Sequence, residues 1–128
     1  MGVEAVIAMM VAALAFMMGY VAYYGRQHRL TGGRFELQSH RGGVSCAMWL
    51  MALTIVLLET GLPHPPLGQR SALFWVHLPL AASFLLLFLA LRFRYTGLRT
   101  RRHRNLAYAC LTLFVLALAT GSVLLAGK

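Results

Sequence analysis

Aspartate is absent from this 128-residue chain, glutamate occurs only as Glu4, Glu36 and Glu59, and the cysteines are Cys46 and Cys110 alone. With carboxylates this scarce and scattered, and no GxSxG, HExxH, CxxC or phosphate-cradling glycine loop, the usual hydrolase and kinase constellations have no residues to be built from. The composition points away from an independent enzyme. The shortage of negative charge leaves a formal net charge of +9, which in a soluble domain would suggest nucleic acid. Here, however, ten of the eleven arginines fall in two short connecting segments, and 59% of the residues are hydrophobic. That grouping excludes a nucleic-acid partner and points to a bilayer with a basic cytoplasmic side.

Four apolar stretches meet the requirement of about 20 residues to cross the hydrocarbon core, at roughly 5–24, 44–62, 72–91 and 106–126. They lack the alternating polar pattern of barrel strands, and lipid demands that backbone groups be paired internally, so they are read as helices. The expected fold is an all-α, integral membrane four-helix antiparallel bundle, a single domain over 1–128. The first stretch begins with Glu4 and ends in Tyr20, Tyr23, Tyr24 and Arg26 with no small-residue cleavage site. It is therefore read as a retained span and not a secretion signal. Segment 25–43 carries Arg26, Arg29, Arg34 and Arg41, and segment 92–105 carries Arg92, Arg94, Arg99, Arg101, Arg102 and Arg104, whereas the intervening turn, 59–71, holds only Arg70. The positive-inside rule then puts both arginine segments in the cytoplasm and both termini outside it.

The histidines are the chemically informative set. His28, His40 and His103 stand at the cytoplasmic ends of their helices and each is followed by arginine, while His64 and His77 lie toward the opposite face. One chemistry served by such pairs is haem, whose iron takes an imidazole on each face while its propionates seek cations at the membrane edge. His40 and His103 suit it best, because they enter helices two and four at similar depth, with Arg41 and Arg104 beside them. Gly43, Ala47 and Thr54 follow His40 on one face, and Ala107, Cys110, Phe114, Ala117 and Gly121 follow His103. This small lining suits either a flat macrocycle or close helix packing.

His77, about two turns into helix three, is expected near Glu59, where the two could relay a proton or line a metal or quinone pocket, or simply hold helix register. His64 sits in a Pro-rich turn and is read as solvated. Met9, Met10, Met17 and Met18 raise copper, which thioethers favour as Cu(I), yet within one apolar helix methionine more often packs. Cys46 and Cys110 fall in the reducing cytoplasmic halves of their helices, which argues against a disulfide; they are read as buried thiols packing as small hydrophobes.

Gly19-Tyr20 in helix one, GRFELQSHR leading into helix two, His77 with its Leu-Pro-rich sequel, and HRNLA with ATG in helix four together resemble a family of small four-helix bacterial membrane proteins of unknown function, some linked to maturation of haem-copper cytochrome oxidase. The resemblance spans roughly Gly19 to Leu125, and the 26 residues from His77 to His103 agree with the family pattern. A weaker likeness is to transmembrane cytochrome b proteins, which hold haem between paired histidines. These resemblances imply a protein of the bacterial inner membrane that binds or handles haem b for a larger respiratory complex, through electron transfer or oxidase assembly. The alternatives are a cofactor-free structural accessory subunit of such a complex, and copper or quinone handling near His77.

Overall fold

The computed structural model describes residues 2–127. It is all-α, as expected: α1 (Val3–Thr31), α2 (Arg34–Gly61), α3 (Ala72–Phe93) and α4 (Arg101–Ala126), with one short 3₁₀ turn at Leu67–Gln69. All four helices are long and apolar enough to cross a membrane. Many large apolar side chains are exposed, Phe16 (70%), Trp49 (65%) and Leu86 (69%) among them. In water such a surface would be costly; against acyl chains it is the expected exterior.

The chain divides into two compact units, one up to His64 and one from Pro65 onward. Each is an antiparallel helical hairpin.

In the first hairpin the arginine segment is not a loop. The helices run through it to leave a turn of two glycines, and α1, at 29 residues, is about 43 Å long. Gly32 ends α1 in the left-handed region (φ 68°), with its N–H donating to His28 O at 2.7 Å, a conformation that a Cβ disfavours. The seam between the helices is built from Ile7, Leu14, Met18, Gly25 and His28 on α1 and His40, Gly43, Ala47, Met51 and Thr54 on α2. The intervals of three, four and seven are those of a coiled-coil stripe. Two glycines set how close the helices come: a Cβ on Gly43 would lie 2.9 Å from Tyr20 Cδ1, and one on Gly61 would lie 2.6 Å from Val3 Cγ1.

The second hairpin closes through a longer connection. Ser71 caps α3 by accepting from Phe74 N (3.3 Å), and Thr100 caps α4 by accepting from His103 N (3.1 Å), each satisfying an N–H that the helix leaves unpaired. The Thr100 hydroxyl also donates to Gly97 O at 2.7 Å, which draws the connection onto the helix start. Between the helices Phe84 meets Phe114 in a tilted ring contact with centroids 5.2 Å apart, and Phe88, Cys110 and Ala117 complete the buried set. Pro79 stands inside α3, which continues without a break to Phe93.

Candidate functional site

The two histidines selected from sequence are both buried, His40 at 9% and His103 at 7% exposure. Each reaches back to the preceding helix or connection of its own hairpin. His40 Nδ1 is 2.8 Å from the backbone oxygen of Val21 on α1, and His103 Nδ1 bonds to the backbone oxygen of Tyr95. A carbonyl can only accept, so Nδ1 donates in both, and the neutral ring carries its lone pair on Nε2. This is the tautomer of a ligating imidazole, and a carbonyl on the opposite nitrogen is the common orienting partner of such a ring.

The sequence reading of the faces is matched closely. Gly43, Ala47 and Thr54 are buried behind His40, and Cys110, Phe114 and Ala117 behind His103, while Ala107 and Gly121 are half-buried. Measured from the histidine, the buried positions at seven, eleven and fourteen residues recur in the two helices: Ala47, Met51 and Thr54 in α2, then Cys110, Phe114 and Ala117 in α4. Arg41 and Arg104 are exposed beside their histidines, where a guanidinium can meet an anion without leaving water.

The other histidines divide by role. His28 Nδ1 is 2.8 Å from Gly33 O, so its ring spans the two-glycine turn. His64 accompanies an exposed Glu59, with Nε2 3.1 Å from its backbone oxygen and 3.7 Å from its carboxylate. His77, expected beside Glu59, is hydrogen-bonded within its own hairpin. Its Nδ1 lies 2.8 Å from Thr120 Oγ1 across the second hairpin, and the Thr120 hydroxyl itself faces Leu116 O at 2.9 Å. The single hydroxyl proton goes to that carbonyl, so the His77 ring is the donor. Gly121 makes room for it, since a Cβ there would come within 3.0 Å of His77 Cε1.

The methionines of α1 do not share one face. Met18 is buried but Met9 is 53% exposed, so the methionines occupy different faces of α1. Both cysteines are free thiols; Cys110 is buried, whereas Cys46, expected inside, is exposed. Cys46 precedes the buried Ala47 by one position, about 100° around the helix, which turns it off the seam. Among the described residues no group of three or more His, Cys, Asp or Glu gathers as a metal site.

Sequence reasoning missed the partners of these rings. The Val21 and Tyr95 carbonyls have no side-chain signature at all. Thr120 and Gly121 stood within a noted motif, but the 43-residue separation from His77 hides the pairing. The Thr100 cap was the legible sign that α4 begins at Arg101 and not five residues later. The chain matches no protein-family model, no curated protein and no solved structure.

Proposed function

We propose that this protein is a small multi-pass protein of the bacterial inner membrane, with both termini on the non-cytoplasmic face, that binds or handles haem b for a larger respiratory complex. One observation carries the reading: in each of α2 and α4 a buried histidine is held by a backbone carbonyl at Nδ1, so that the neutral ring has its lone pair on Nε2. The donor set suits a b-type haem, for which His40 and His103 would each offer an imidazole within its own hairpin and the exposed Arg41 and Arg104 would be partners for propionates. Bound haem would supply a one-electron couple. The chain's part is to fix each ring's tautomer, to keep water from it with the small residues along the seams, and to keep the guanidiniums exposed beside the rings. Haem held by imidazoles alone would supply electron transfer or haem carriage and not oxygen chemistry.

The optical spectrum of the purified protein is the test. Sharp reduced-state bands of a six-coordinate b-type haem are expected, abolished or broadened by His40→Ala and by His103→Ala, with Arg41→Ala weakening retention only. A colourless protein in its native complex, or bands untouched by both substitutions, overturns the haem reading.

A second reading is favoured by the same hydrogen bonds. Since His28, His40, His77 and His103 are each engaged within their own hairpin, they can serve as clasps in a cofactor-free accessory subunit. The colourless outcome would select it.

A further inference from the structure

Hairpin two contains no acidic residue: from Pro65 to Lys128 there are seven arginines and one lysine, and all three glutamates lie before Pro65. Six of the arginines crowd the end of α3, the connection and the first turn of α4, and Arg94, Arg99, Arg101, Arg102 and Arg104 are exposed. The guanidinium carbons of Arg94 and Arg102 stand 6.0 and 5.5 Å from the centre of the Tyr95 ring, while the backbone oxygen of Tyr95 is held by His103. One fixed aromatic residue thereby keeps two cations together. At the end of α3, Arg92 Nε is buried without a hydrogen-bond partner. The first hairpin differs, because its turn carries its own carboxylate, Glu36, which lies where a Cβ on Gly33 would be.

We propose that the connection between α3 and α4 is a docking surface for the phosphodiester of an anionic phospholipid, with Arg94 and Arg102 as its centre. The charge complement has to come from outside the hairpin, and the place of the turn says from where. It ends a 22-residue apolar helix, and Phe93 beside it is 65% exposed with the Arg92 guanidinium 5.2 Å from its ring. An exposed aromatic ring among arginines at a helix end suits the headgroup boundary, where the ring meets acyl chains and the cations meet phosphates. A free phosphate would make no use of that apolar ring. The proposal rests on the membrane reading above and not on haem.

The test uses the full-length protein in phosphatidylcholine vesicles containing a minor fraction of phosphatidylglycerol, extracted with its surrounding lipid, with the co-purifying lipids quantified. Phosphatidylglycerol is expected to be enriched over the vesicle composition. The pair Arg94→Gln/Arg102→Gln should lose the enrichment, at about fivefold per arginine removed, whereas the charge-matched pair Arg26→Gln/Arg34→Gln in the first hairpin should keep it. Arg99→Gln, a milder surface change on the same turn, should lower it by about fivefold. Absence of enrichment, equal loss in both pairs, no effect of Arg99→Gln, or displacement of the lipid by inorganic phosphate would overturn the proposal. Failure to enter vesicles at all would instead sink the membrane reading, and a colourless protein would leave the lipid result untouched.

Discussion

Thr120 shows how one side chain decides what another can do. Its proton is committed to Leu116 O, so it offers His77 only an acceptor and sets which ring nitrogen is protonated. Thr120→Val keeps the shape and removes that acceptor. In a membrane such side-chain bonds average about 0.6 kcal/mol and reach about 1.7, so an unfolding measurement in lipid or detergent should show a loss within that range. A loss well above it would mean that the ring has no alternative partner. His40→Ala acts differently, because the Val21 carbonyl retains its place in the α1 ladder. What disappears is a cross-helix tether and a buried ring, and the expected signs are looser packing of α1 on α2 together with the spectral change described above.

Neighbouring glycines in α2 provide a sharp contrast at the level of the helix. A Cβ on Gly42 meets nothing within 4 Å, while one on Gly43 meets Tyr20 at 2.9 Å and Val21 at 3.0 Å. Gly42→Ala should therefore stabilise the helix by about 0.5–1 kcal/mol, the ordinary gain of alanine over glycine. Gly43→Ala should cost about 1–3 kcal/mol, because α1 and α2 must separate or Tyr20 must leave its rotamer. Paired thermal or denaturant titrations of the two variants check this, and equal responses would mean that the helices do not meet at Gly43. The same close approach is what lets His40 reach the Val21 carbonyl, so Gly43→Ala should also disturb whatever the His40 ring does.

At the scale of the whole chain, the number of spans and the charge of the connections set a topology that can be read chemically. The orientation proposed above from the positive-inside rule puts Arg99 on the cytoplasmic side of four apolar helices. With Cys46 and Cys110 replaced by Ser and Arg99 by Cys, an impermeant thiol reagent should label the protein in inverted vesicles and not in intact cells. Labelling from outside would reverse the orientation and place the lipid-docking turn in the opposite leaflet.

Helix count and type were legible because about 20 consecutive apolar residues have few other uses, and the inward faces of α2 and α4 followed from 3.6-residue periodicity applied from His40 and His103. Helix ends were less legible. Arginines that mark a membrane boundary say nothing against helix, so the 25–43 segment read as a loop, whereas the Gly32 C-cap and the Thr100 side-chain N-cap extend the helices to a tight turn in one hairpin and a longer connection in the other. The partners of the buried rings belonged to tertiary structure alone. A backbone carbonyl is the same atom pair at every position in the chain, so only the packing of one helix on another decides that Val21 and Tyr95 serve His40 and His103, and that His77 turns to Thr120.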